Sequence, residues 1–128
     1  MKLLLDTHVL LWAIDRPSRL SAAARKALED PSNALYVSVA SIWEIVLKFQ
    51  AGKLRFPASA EYFKAHLNAL GIAQLLAIQP QHVYTLLQLP PHHKDPFDRL
   101  LVAQSLMEDL PIVTSDAALT QYDVQTIW

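Results

Sequence analysis

Three consecutive leucines ending in an aspartate, Leu3-Leu4-Leu5-Asp6, constrain this chain more than any other stretch. An uninterrupted apolar run of this length reads as a strand buried on both faces, which is the pattern of a parallel sheet. The residues that follow, through Val9-Leu10-Leu11-Trp12, have helical character. Asp6 therefore falls at the carboxyl end of a first strand, where open α/β sheets place their ligands.

The rest of the chain alternates in the same way. The spacing predicts helices near residues 8–14 and over Ala22 to Glu29, the latter capped by Ser21. A strand at Leu35-Tyr36-Val37 precedes a helix from Val39 to Gln50, stopped by Gly52. A further helix runs from Ser59 to Leu70 and stops at Gly71. Leu75 to Ile78 reads as a third strand. Pro80 suits the first turn of a helix carrying Val83, Leu86 and Leu87. Leu89-Pro90-Pro91-His92-His93-Lys94 is a rigid basic loop. Asp95-Pro96 opens a helix reaching Met107. Pro111 to Thr114 is a fourth strand, Ala117 to Tyr122 a short helix, and Val124 to Trp128 a last strand. Strands alternating with helices imply a three-layer α/β/α sandwich around a central, mostly parallel sheet. With 128 residues and no linker, residues 1–128 are expected to form one domain.

Composition removes several classes. There is no cysteine, which excludes disulfides and thiolate metal sites. No apolar run approaches the ~20 residues of a membrane span. Asp6 interrupts the apolar start and no cleavage pattern follows, so the expected setting is the cytoplasm. Only two glycines are present, and both fall at helix ends. None is left for a phosphate-cradling loop or a dinucleotide fingerprint. The net charge is −1, but eleven basic residues against the eight acids outside the proposed site leave +3. A cation-loaded site could therefore face a phosphate backbone without strong repulsion.

Four acids stand out: Asp6, Glu44, Asp98 and Asp116. Each also has a structural reading. Asp6 and Asp116 follow strands and could cap the helices after them. Asp95 is a cap with Pro96 behind it, which puts Asp98 in the first turn, where the helix dipole favours a carboxylate. Glu44 could pair with Lys48 one turn on. As a set they say more. Asp6, Asp98 and Asp116 all fall at one edge of a parallel sheet. Glu44 lies on a narrow polar stripe, Ser41-Glu44-Lys48, of a helix that is otherwise apolar. Clustered carboxylates repel unless a cation neutralises them or some stay protonated. Oxygen-only ligands favour Mg²⁺ or Mn²⁺ over zinc.

Four segments, LLLDTHVLLW at 3–12, SVASIWEI at 38–45, HHKDPFDRLLVAQ at 92–104 and IVTSDAAL at 112–119, resemble the PIN-domain ribonucleases, and closely the VapC-type toxins of bacterial toxin–antitoxin pairs. The resemblance implies a PIN-like fold and a Mg²⁺-dependent endoribonuclease, with Asp6, Glu44, Asp98 and Asp116 as its metal-binding acidic quartet. It suggests supporting hydrogen bonds from Thr7, Ser41, Thr114 and Ser115. It also implies an RNA substrate, a cognate antitoxin and a homodimer.

Lys48 and Arg99 could steady phosphate or pair with the acids. His92, His93 and Lys94 read as a polar turn that could also touch RNA. His8 is assigned a supporting or structural part, and His66 and His82 carry no signal. Trp12 and Trp43 are expected in the core. The Phe49 to Leu70 segment, with Phe56, Tyr62, Phe63 and Leu67, is expected to offer an apolar groove to a partner helix. Three other readings compete: a nuclease without a toxin role, a PIN-like module that only binds protein, and a phosphotransfer receiver. The last needs a lysine near the final strands, and none follows Lys94.

Overall fold

The computed structural model describes residues 1–55 and 59–128. Phe56, assigned above to a partner groove, lies outside the described residues. Five parallel strands form one sheet: β1 (Lys2–Leu5), β2 (Ala34–Ser38), β3 (Ile72–Leu76), β4 (Ile112–Val113) and β5 (Thr126–Ile127). Their spatial order is β3-β2-β1-β4-β5. The chain winds outward from β1 through β2 to β3, then returns to the other side of β1. The order thus reverses between β1 and β4, and the crevice beyond the carboxyl ends of those two strands is the switch point.

Six helices cover the sheet: α1 (Thr7–Asp15), α2 (Ala22–Glu29), α3 (Val39–Gln50), α4 (Ala60–Ala69), α5 (Pro80–Thr85) and α6 (Pro96–Glu108). Alternation along β1 divides the core. Leu3 and Leu5 point into one layer with Val9, Leu10, Ala24, Ile45, Phe63 and Leu67. Leu4 points into the other with Leu101, Val102, Ile112, Leu119 and Tyr122. All three leucines are fully buried, as the run in the sequence requires. Gly52 and Gly71 follow α3 and α4 with φ of 71° and 70°, the left-handed conformation that ends a helix and that glycine adopts without strain.

Several expectations shift. The third strand begins right after Gly71 rather than at Leu75, and it slips register against β2 between Leu35 and Tyr36. As an edge strand it tolerates Gln74 in its middle, so its apolar pattern ran late. The expected helix over Ala117 to Tyr122 is only a 3₁₀ turn at Leu119–Gln121. Trp43 is not in the core but 53% exposed, set edge-on to Phe97 with ring centroids 5.1 Å apart. Apolar residues surround α3 on most sides, so periodicity could not choose its buried face. Trp12 is partly buried against the first core layer and meets Trp128 at 5.9 Å. Phe63 and Leu67 are buried in the core rather than lining a groove.

His82, silent in the sequence, is 1% exposed. Its Nδ1 accepts the Gln79 N–H at 2.9 Å, and its Nε2 meets Glu108 Oε1 at 2.9 Å. The ring thereby caps α5 and ties it to α6. His82→Ala leaves a cavity and an unpaired N–H, and should cost about 2 kcal/mol in urea unfolding. An unchanged midpoint would show the tie to be dispensable.

Candidate metal centre

Each acid reaches the switch point by a separate route. Asp6 follows β1, and its backbone N–H still donates to Val113 O (3.0 Å), the last rung of the β1–β4 ladder. Its side chain caps α1 by accepting the His8 N–H at 3.3 Å. Its other oxygen, Oδ2, accepts the Thr114 hydroxyl at 2.6 Å. Thr114 Oγ1 in turn accepts the Asp116 N–H at 3.0 Å. Thr114 thus links the ends of β1 and β4 and fixes Asp6 relative to Asp116. Asp116 Oδ1 accepts the Ala118 N–H at 2.9 Å, which directs Oδ2 elsewhere.

Asp98 enters from the first turn of α6. Asp95 caps that helix, accepting the Phe97 and Asp98 N–H groups at 2.8 and 3.1 Å. Glu44 enters from α3. The narrow polar stripe of that helix faces inward: Ser41 is fully buried and Glu44 is 3% exposed. Thr7 Oγ1 donates to Ser41 Oγ at 2.9 Å, pinning α1 to α3 beside the acids. Lys48 Nζ meets Glu44 Oε2 at 2.8 Å. Burial works against the Lys48 ammonium, but Glu44 and the charges of Asp95 and Asp98 outweigh it and raise its pKa.

The sequence reading missed His93. Its Nε2 lies 2.9 Å from Asp116 Oδ2 and 3.1 Å from Asp98 Oδ2. Its Nδ1 accepts the Asp95 N–H at 3.0 Å. One ligand-capable atom from each of His93, Asp98 and Asp116 falls within a 4.8 Å cluster. Asp6 and Glu44 join by charge rather than by contact: both act on Asp98. No periodicity marks His93; only its place in the loop ahead of the Asp95 cap could have drawn attention to it. Two supporting residues make no hydrogen bond to the four acids among the described residues. Arg99 points away from the carboxylates, donating to Pro90 O (3.0 Å), Leu86 O (3.3 Å) and Tyr122 Oη (3.3 Å). Ser115 is exposed on the turn after β4 and makes no hydrogen bond to the acids among the described residues.

The electrostatics record the crowding. Burial raises the Asp6 pKa, and the Asp116 charge adds to that; the Thr114 hydroxyl, the His8 charge and the His8 N–H pull the other way without cancelling it. Asp98 is pushed up to about 7, by burial first and then by the charges of Asp6, Asp95 and Glu44. For His93, burial opposes the charged ring, but the Asp116 hydrogen bond and the charges of Asp98, Asp116 and Asp95 prevail and raise its pKa. The Asp95 N–H directed at Nδ1 opposes that protonation, and this geometry selects the neutral ring with its hydrogen on Nε2. Glu44 Oε1 is buried with no hydrogen-bond partner. An orphaned carboxylate oxygen on a residue whose charge acts on Asp98, with Asp98 close to Asp116, suits a hard divalent cation. A larger recess of about 640 Å³, lined by Leu20, Ala22, Arg25, Lys26 and Glu29, opens by α2 away from the acids. It holds no such cluster, so size does not mark the site.

Fold and site define a class: a doubly wound parallel α/β protein with carboxylates gathered at its switch point. The chain belongs to the PIN domain family, which it matches over residues 3–125. It is 28% identical over 124 residues to Ribonuclease VapC22 of Mycobacterium tuberculosis (strain ATCC 25618 / H37Rv), covering 93% of this chain and 90% of that protein. Among the solved structures that share its fold are two from bacteria. One is VapBC2 from Rickettsia felis bound to a DNA fragment from their promoter, with a TM-score of 0.69 at 13% identity, covering 98% of this chain and 97% of the other. The other is FitAcB from Neisseria gonorrhoeae, with a TM-score of 0.60 at 19% identity and coverage of 98% and 96%.

The raised Asp98 pKa has a consequence for stability. The native carboxyl keeps its proton to about pH 7, whereas the unfolded one loses it near 3.8. Between those values the native state binds more protons, so stability falls as pH rises through the window. In chelator, Asp98→Asn should lack this part of the decline and melt above the wild type at about pH 8. Thermal unfolding across pH checks this; a wild type that stays the more stable at high pH contradicts it.

Proposed function

We propose that this chain is one nuclease domain, a metal-dependent endoribonuclease acting in the cytoplasm as the toxin of a toxin–antitoxin pair. Asp6, Glu44, Asp98 and Asp116 would hold Mg²⁺, with Mn²⁺ as a substitute. The observation that carries the reading is the convergence of these four buried or half-buried acids at the switch point, with Glu44 Oε1 left unpaired. The family match and the ribonuclease relative support it. No helix among the described residues is long and apolar enough to cross a membrane.

A bound divalent ion would neutralise charge on a phosphoryl oxygen and make a nearby water more acidic. The protein's own part is positioning. Thr114 and the His8 N–H hold Asp6, Lys48 holds Glu44, and the Thr7–Ser41 bond keeps α1 and α3 in register. Asp98 or Glu44, whichever carboxylate is not fully engaged with the ion, would orient the attacking water. In the hydrolysis, the water oxygen bonds to phosphorus and the bond from phosphorus to the 3′ oxygen breaks. That oxygen takes up a proton, leaving a 5′-phosphate and a 3′-hydroxyl. Beside the acids a cleft of about 370 Å³ is lined by His8, Trp12, Arg16, Lys48 and Lys53, among others. Its cations suit an RNA backbone and its indole suits a base.

The antitoxin is a protein that covers apolar surface next to these acids. Val39, Trp43 and Leu47 form an exposed ridge at helical spacing on α3, with Leu47 one turn on from Glu44. A homodimer is part of the same reading; Val83, Tyr84 and Leu87 at and just beyond α5 provide a second exposed apolar group.

Cleavage of labelled RNA should require Mg²⁺ or Mn²⁺ and stop in chelator. Asp6→Asn should keep the fold by circular dichroism and lose about 10²-fold or more in rate, the scale of removing one preorganised electrostatic contact. Full activity of that variant in chelator would refute the proposal. Binding to a partner without any cleavage would favour a catalytically silent PIN module.

A further inference from the structure

His93 is held at its backbone N–H and at both ring nitrogens. Its backbone N–H donates to Tyr122 Oη at 3.0 Å, and Arg99 anchors the same hydroxyl at 3.3 Å. Nδ1 accepts the Asp95 N–H at 3.0 Å, so that nitrogen carries no hydrogen. The ring hydrogen is therefore on Nε2, bonded to Asp116 Oδ2 at 2.9 Å, with Asp98 Oδ2 3.1 Å from the same nitrogen. A single N–H set between two carboxylates lowers their mutual repulsion, as a cation would.

We propose that His93 is a positioning residue that stands in for the cation: its Nε2–H keeps Asp98 and Asp116 at bridging distance and is displaced, not coordinated, when the ion binds. This rests on the metal-nuclease reading above. Coordination through Nε2 requires a lone pair there, which moves the ring hydrogen to Nδ1. Nδ1–H would then confront the Asp95 N–H, two donors facing each other at 3.0 Å. Asp95 uses that region to cap α6, the helix that carries Asp98. Swinging the ring out loses the hydrogen bond to Asp116 and the close approach to Asp98 but leaves an oxygen-only donor set, which Mg²⁺ prefers. His93 thus shapes the site and competes for it.

The test is Mn²⁺ titration of the full chain by calorimetry, with thermal unfolding in chelator and in Mn²⁺, for wild type, His93→Ala and His93→Gln. Removing the competitor should tighten Mn²⁺ binding by about fivefold or more, the low end of coupling between two linked occupants. His93→Ala should also melt lower than wild type in chelator and gain more from Mn²⁺. His93→Gln, which keeps an N–H donor, should fall between. Weaker binding by His93→Ala would make His93 a ligand, and equal binding would make it a bystander; either overturns the inference while the metal reading stands. Wild type that fails to bind Mn²⁺ overturns the metal reading and this inference together. If His93→Ala does not fold, ¹⁵N NMR of the imidazole in wild type decides. A protonated Nε2 in chelator, released from its bond on adding Mg²⁺, supports the inference. A protonated Nδ1, or no change with Mg²⁺, overturns it.

Discussion

Mutual repulsion among buried carboxylates is the constraint around which this molecule is arranged. Two such groups ~4 Å apart near a protein surface oppose each other by up to about 4 kcal/mol. The fold nonetheless brings four to one crevice and places Asp95 beside them. It manages the cost locally, with a donor or a proton for nearly every one. Thr114 and the His8 N–H serve Asp6, Lys48 serves Glu44, and the Ala118 N–H serves Asp116. His93 serves Asp98 and Asp116 together. What remains is an Asp98 that ionises only near neutrality and one Glu44 oxygen with no partner. Concentrated like charge with residual unmet demand is what a cation site needs, and few purely structural roles produce it.

The sheet makes this arrangement possible. In a parallel sheet all strands end on the same side, so acids far apart in the chain meet without any long loop. The β1–β4 neighbourhood is the reversal point of the strand order. Structures sharing 13% and 19% identity with this chain keep the same architecture. Such tolerance is expected when the core asks only for apolar residues at alternating strand positions.

Helix α3 has an unusual division of labour. Its polar stripe is buried against the acids, while Val39, Trp43 and Leu47 face outward. An isolated surface helix would place these the other way round. The inversion links the chemistry to the surface: Glu44 inward and Trp43 outward are adjacent residues on one rigid element. Whatever covers the outer ridge also touches the helix that holds Glu44 and Lys48.

By itself the sequence determined the parallel sheet and the glycine-closed helix ends, and it singled out four acids. Leu3 to Leu5 could only be a doubly buried strand, the glycines could only close helices, and the motifs around Asp6, Glu44, Asp98 and Asp116 are local patterns with local causes. Tertiary structure alone decided which side chains complete the site. His93 entered it and Arg99 left it, because each was free to choose among partners brought near by folding. Trp43 turned outward and His82 became a buried tie for the same reason. Periodicity records which residues avoid water; it carries no information about which polar groups meet, since those pairings join positions 23 residues apart, as in His93 and Asp116, or 108 apart, as in Asp6 and Thr114.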